Sequence, residues 1–168
     1  MEYKNLTPWI QTAFDEMNKK IIENGANPEV LKYFAHTQLA GTKDAATDKT
    51  PWCAAFVNYC LESVSIPGSG YATASSFKNY GDNMGTTPTY GSIAIMNYSH
   101  VGFIIGQDNK GRIIILGGNQ GEPGGVNLGT NPKENVVRYV YPSSHVPTQL
   151  NLPTLSVTNR ELDYTNTR

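Results

Sequence analysis

The chain has 168 residues, 39% of them hydrophobic and 16% charged, with a formal net charge of −1. That is enough for one domain with its own core and short for two. The near-neutral balance excludes the basic stripe of a nucleic-acid binder, and no run approaches the ~18 apolar residues of a membrane span.

The first residues, Met1-Glu2-Tyr3-Lys4-Asn5, lack the basic start and apolar stretch of a secretory signal. The expectation is a protein made in the cytoplasm. Any role outside then needs a dedicated export route, lysis, or a fragment missing from this sequence. Thr7-Pro8-Trp9 reads as a helix cap with proline in the first turn, Ile10, Phe14, Met17 and Ile21 recur at helical spacing, and Gly25 offers a stop. Asn27-Pro28-Glu29 repeats the start signal for a shorter helix carrying Val30, Leu31 and Phe34. Residues 38–49 are small and polar and read as a loop. From Trp52 to about Val64 the apolar positions Ala55, Phe56, Tyr59, Cys60 and Val64 suit a buried helix, ended by Ser65-Ile66-Pro67-Gly68. A short helix is expected between Thr73 and Tyr80, before Gly81.

The second half changes period. Ser92–Met96, Val101–Ile105, Ile113–Leu116 and Val136–Tyr141 are short β-branched and aromatic runs, and Asp108-Asn109-Lys110-Gly111 is a hairpin turn between the second and third. Helices first and an antiparallel sheet afterwards is an α+β pattern. Residues 1–141 read as a single domain, and 142–168 as a Pro-, Thr- and Asn-rich tail that is extended or wraps the surface.

Three places carry chemistry. Cys53 stands where a loop becomes an apolar helix, and free N–H groups and the helix dipole favour a thiolate there; a small core residue is the alternative. Cys60 lies deeper in the same helix and reads as core. Seven residues apart on one helix, the two are separated by ~10 Å, too far for a disulfide. His100 follows Ser99 and opens a strand, where packing can hold a base at the edge of a cleft; a turn histidine is the alternative, and His36 and His145 are competitors. Asn119, after Gly117-Gly118, has an amide oxygen suited to orienting an imidazole. Turn chemistry among glycines explains it equally well, and Glu122 and Asp108 are possible substitutes. Thiol, imidazole and orienting group in this order point to a cysteine hydrolase. Metal binding is the weaker reading, since Cys53, Cys60, His36 and His100 form no closely spaced ligand pairs. The glycine-rich run 117–129 lacks a P-loop lysine and the GxGxxG pattern, so no nucleotide cofactor is expected.

Together, Trp52-Cys53-Ala54-Ala55-Phe56-Val57-Asn58, Ser99-His100-Val101-Gly102-Phe103 and Gly117-Gly118-Asn119-Gln120 resemble the CHAP-like and NlpC-like peptidoglycan hydrolases. Supporting segments are Thr7-Pro8-Trp9-Ile10, Asn27-Pro28-Glu29-Val30 and Gly91-Ser92-Ile93-Ala94. The resemblance runs from about residue 7 to 141 and implies a papain-like fold with N-terminal helices packed on a small antiparallel sheet. It makes Cys53 the nucleophile, His100 the base and Asn119 the third residue, with no metal or other cofactor. It implies that Trp52, Tyr71, Tyr98 and Gln120 line a groove for peptide or glycan, with core packing an equal alternative for Trp52. Relatives often carry a tryptophan where this chain has Tyr80 before Gly81, a change expected at the groove wall.

The implied substrate is the peptidoglycan stem peptide, cut by an endopeptidase or an N-acetylmuramoyl-L-alanine amidase. The implied setting is a phage lysin or an antibacterial effector acting in the periplasm or cell wall after delivery by a secretion system or lysis, with an immunity protein as a possible partner. An acyltransferase or transglutaminase using the same three residues, and an inert wall-binding module, are the rival readings.

Overall fold

The computed structural model describes residues 7–147, 149 and 151–163. The Met1–Asn5 stretch read for a signal lies outside the described residues, as do the last five residues of the tail.

Helix α1, Pro8–Met17, starts on its proline and buries Trp9, Ile10, Ala13 and Met17. It ends earlier than the spacing suggests, because Lys20 turns to a left-handed φ of 57°. Ile21 still reaches the core, but from irregular chain. Helix α2, Pro28–Leu31, is capped by the Asn27 side chain, which accepts the Glu29 N–H at 3.0 Å. It continues as a 3₁₀ turn over Lys32–His36.

The polar stretch after α2 is loop with a purpose. The Asp48 carboxylate, only 1% exposed, accepts the N–H groups of Asn24, Gly25 and Asn27 at 2.8–3.0 Å. It thereby pins the start of α2 to the approach to Cys53. Burial raises its pKa, but the backbone N–H groups outweigh it and hold the carboxyl below its usual range. Helix α3, Cys53–Glu62, is buried over most of its circumference, and Ser65 at φ 62° turns the chain away after it. The short helix expected before Gly81 is a single 3₁₀ turn, Ala74–Phe77.

One six-stranded sheet follows: β1 Asp82–Asn83, β2 Ile93–Met96, β3 Val101–Gln107, β4 Ile113–Gln120, β5 Gly125–Asn131 and β6 Val136–Tyr141. Its strand order is β1-β6-β2-β3-β4-β5, with every pair antiparallel. The α+β class is as expected. Val101, Phe103, Ile105, Ile114 and Leu116 turn one face toward α1 and α3 and form the main core with them. The alternate residues Ile104, Ile113, Ile115 and Tyr139 make a smaller cluster on the other face. Burial on both faces explains why β3 and β4 read as unbroken apolar runs.

Two elements escaped the sequence reading. Strand β5, Gly-Val-Asn-Leu-Gly-Thr-Asn, has poor intrinsic strand propensity, yet pairs with β4 along its length. The tail contains a hairpin of β7, Val157–Thr158, and β8, Glu161–Leu162, whose Val157 and Leu162 pack on the main core.

Candidate active site

Cys53 is the first residue of α3, 4% exposed. The first helical hydrogen bond runs from Phe56 N–H to the Trp52 carbonyl at 3.0 Å. The N–H groups of Cys53, Ala54 and Ala55 are thus outside the helical ladder, at the positive end of the dipole. Burial pushes the thiol pKa up, and the N–H groups of Val101, Ala54 and Cys53 offset this in part. The sulfur lies against the main chain of Val101, the neighbour of His100. Cys60 is fully buried, its thiol pKa is pushed well up by burial, and both cysteines are free.

His100 is delivered by a tight turn. Met96 N–H donates to the His100 carbonyl at 2.8 Å across Asn97, Tyr98 and Ser99, with Ser99 in the left-handed region at φ 59°. The ring is 7% exposed. Nε2 lies 2.9 Å from Gln120 Oε1, and Tyr98 stacks on the ring with centroids 5.9 Å apart and planes 3° from parallel. The Tyr98 hydroxyl donates to Asn131 Oδ1 at 2.9 Å, which ties this cover to β5.

The Gln120 contact settles the tautomer. Its Nε2 donates to the Asn127 carbonyl at 2.7 Å and the Ile115 carbonyl at 3.3 Å. Carbonyls only accept, so the amide nitrogen must face them and Oε1 must face the imidazole. Oε1 also only accepts, so His100 Nε2 carries the proton. In the neutral ring Nδ1 is then the nitrogen with a free lone pair. Burial pushes the His100 pKa down, partly offset by Gln120, which keeps the ring neutral at ordinary pH. Among the described residues no hydrogen bond joins the Cys53 sulfur to this ring, and burial disfavours the charged form of each group.

Asn119 is not the partner of His100; Gln120 is. The cause is a β-bulge. Gly117 pairs with Asn127 and Gln120 with Gly125, three steps on β4 against two on β5. Strict alternation from Ile115 through Gly117 would bring Asn119 to that face. The extra residue, Asn119 at φ 58°, brings Gln120 there instead. A Cβ on Gly117 would lie 3.1 Å from Gln120 Cδ and Oε1, which confirms that the two share a face. Asp108, the other proposed substitute, is engaged in its own turn, with the N–H groups of Lys110 and Arg112 and the Arg112 guanidinium on its carboxylate. Glu122 is exposed.

The remaining expected residues divide. Trp52 takes the core alternative: it is fully buried, stacks on Tyr33 at 5.8 Å, and donates its indole N–H to Glu23 at 2.8 Å. It also explains Gly118, where a Cβ would meet the Trp52 ring at 2.6 Å and Phe56 Cβ at 2.8 Å. Tyr71 is exposed and lines neither cavity beside the site. Tyr80, in place of the family's tryptophan, packs on Phe77 and donates to the Pro67 carbonyl at 2.6 Å, also away from both cavities. His36 is exposed at the end of its 3₁₀ turn, and His145 packs edge-on to Trp9.

Two cavities flank the pair. On the Cys53 side is an apolar cleft of about 620 Å³ bordered by Leu39, Pro51, Ala72, Ala74 and Met96. Asn58, fully buried on α3, holds the chain that leads into Ala72 of this cleft: it donates to the Tyr71 carbonyl at 2.9 Å and accepts Gly70 N–H at 3.1 Å. On the His100 side is a polar groove of about 970 Å³ bordered by Tyr98, Gln120, Asn131 and the C-terminal hairpin. Among the described residues no three His, Cys, Asp or Glu side chains converge as metal ligands.

Residues 45–119 match the family model described as the CHAP domain. No curated protein and no solved structure matches the chain. The matched span is a little under half of the chain; it takes in Cys53 and His100 and stops one residue short of Gln120. It bears out the CHAP-like resemblance of the motifs and, with the helices packed on an antiparallel sheet, the papain-like fold. CHAP domains are typically cysteine- and histidine-dependent peptidases or amidases of peptidoglycan.

Proposed function

Because residues 45–119 match the CHAP domain, we propose that this chain hydrolyses an amide bond of the peptidoglycan stem peptide, as an endopeptidase or an N-acetylmuramoyl-L-alanine amidase. The observation that carries the reading is the hydrogen bond from His100 Nε2 to Gln120 Oε1, which leaves Nδ1 with the free lone pair a general base needs.

In this mechanism His100 Nδ1 takes the Cys53 proton, and the sulfur attacks the scissile carbonyl carbon. The N–H groups of Cys53 and Ala54 meet the developing oxyanion. The imidazolium returns its proton to the leaving amine as the C–N bond breaks. Water, deprotonated by the same ring, then releases the acyl group from sulfur. The apolar cleft on the thiol side suits the short side chain of an alanyl residue at the cut, and the polar groove on the imidazole side suits the more polar part of the stem. Gln120 positions His100 and does not touch substrate in this scheme.

On this reading the protein works in the periplasm or cell wall, as an antibacterial effector or a phage lysin, reaching it by secretion-system delivery or lysis. An effector of this kind would be restrained in its producer by an immunity protein that blocks the two cavities. Among the described residues no helix is long and apolar enough to cross a membrane.

Digestion of purified peptidoglycan by the wild type and by Cys53→Ala, with fragments read by mass spectrometry, tests the proposal. The expected result is fragments from the wild type alone, with masses that name the bond. Equal product from both proteins removes Cys53 as nucleophile. No product from either, on several wall types under reducing conditions, favours an inert binding module or an acyltransferase.

A further inference from the structure

The groove beside His100 owes one wall to the C-terminal hairpin, which lies outside the CHAP span. The hairpin and the segment leading into it are docked onto the sheet. Gln107 N–H donates to the Pro153 carbonyl at 2.9 Å, Leu155 N–H to the Gln107 carbonyl at 2.8 Å, and Leu128 N–H to the Arg160 carbonyl at 3.0 Å. An ion pair between Lys20 and Glu161 ties its far side to the end of α1.

The tip of the hairpin is Asn159-Arg160, at φ 52° and 63°. Two successive left-handed residues between paired strands are the pattern of a type I′ turn, whose second position favours glycine. Here an arginine fills it. Its side chain folds back over the sheet onto a floor cleared by glycines. A Cβ on Gly121 would fall 2.8 Å from Arg160 Nε, and one on Gly129 3.7 Å from Nη1 and 3.6 Å from Gln120 Oε1. Nη1 donates to Asn127 Oδ1 at 3.4 Å. The guanidinium therefore rests beside the same strand pair that holds Gln120 against His100.

Asp108 and Asp163 also line this groove. Asp108 pairs with Arg112 at 2.7 Å, and Asp163 accepts from Thr158 Oγ1 at 3.3 Å. Among the described residues no carboxylate forms an ion pair with Arg160. A planar fork of donors, placed at a strained position over an open groove, matches a carboxylate carried by a ligand.

We propose that Arg160 reads a free carboxylate of the stem peptide whose amide is offered to Cys53, which makes the hairpin Val157–Leu162 a specificity wall of the site. The proposal rests on the peptidoglycan reading. A stem peptide has two sources of this chemistry, its internal isoglutamate carboxylate and its C-terminal carboxylate.

Calorimetric binding in a Cys53→Ala background, where no turnover intervenes, separates them. The probes are a synthetic stem pentapeptide with all carboxylates free, the same peptide amidated at isoglutamate, and the same peptide amidated at its C-terminus. One of the two amidations is expected to weaken binding about tenfold or more, the range for a hydrogen bond to a charged group. Arg160→Gln is expected to bind that amidated peptide and the free one equally, and Arg160→Lys to recover part of the preference. Arg160→Gly, which relieves the left-handed strain, guards against misfolding and is expected to lose selectivity in the same way. Equal affinity of the unsubstituted-hairpin protein for all three probes, or no binding of any, overturns the proposal. So does an Arg160→Gln that weakens all three alike. Because binding is read without cleavage, an inactive Cys53 in the digestion assay leaves this outcome separately legible.

Discussion

Cys53, whose thiol lies against the Val101 N–H, and His100, the residue before Val101, are held in different ways. The thiol is positioned by main chain: a helix start and the N–H groups of Val101, Ala54 and Cys53 itself. The imidazole is positioned by side chains: Gln120 on one edge, Tyr98 on one face, and Asn131 holding Tyr98. Main-chain placement follows from local chain geometry and tolerates many neighbours. Side-chain placement depends on register, and here on a single extra residue in β4. The imidazole half of the site is the fragile half.

Substitution at the bulge breaks that comparison most sharply. Gln120→Leu removes the hydrogen bond to His100 and the amide donor to the Asn127 and Ile115 carbonyls, and is expected to lower kcat roughly tenfold to hundredfold, equivalent to about 1.4–2.8 kcal/mol of lost transition-state stabilisation. Asn119→Ala is expected to change kcat by less than about threefold, its cost showing instead as a small fall in thermal midpoint from the left-handed φ. Steady-state cleavage of a stem peptide by the two variants checks the order, and a larger kcat loss at Asn119 would reassign the partner.

The support beneath the same strand comes next. Gly118→Ala drives a methyl into Trp52 and Phe56 and is expected to destabilise by about 1–3 kcal/mol through overpacking, measured by denaturant unfolding. Residual native protein should keep its kcat, because the clash lies on the core side of β4 and not at the ring.

The smallest effect is on pH. Burial lowers the His100 pKa, so the ring loses its proton at a lower pH than a free histidine and the acid limb of kcat/KM should fall below the usual histidine range. Gln120 favours the charged ring, so Gln120→Leu should move that limb lower still while it slows the reaction. The raised Cys53 pKa predicts slow alkylation by iodoacetamide at neutral pH, faster as pH rises. A limb above the ordinary histidine value, or rapid alkylation at neutral pH, would point to a resting ion pair instead.

Much of this was legible in the residues. The proline-started helices, the helix opening at Cys53 and the Asp108–Gly111 hairpin all depend on signals within a few residues of one another. His100 at a strand entrance was legible for the same reason, as Ser99 marks the turn that precedes it. The partner of His100 was not. Alternation along β4 favours Asn119, and only the pairing of β4 with β5 inserts the bulge that substitutes Gln120. β5 itself was invisible because its glycines and asparagines carry no strand signal, and it forms only when β4 supplies a partner edge. The hairpin that brings Arg160 to the groove lacks the glycine that usually announces such a turn.

The sequence alone therefore determined the class of fold, the thiol at a helix start and the histidine beside a turn, because each is a property of neighbouring residues and backbone sterics. Tertiary structure decided which amide orients the ring, which tryptophan is core, and which cation faces the groove. Those depend on strand register and on contacts between residues far apart in the chain, where a shift of one residue reverses the face a side chain occupies.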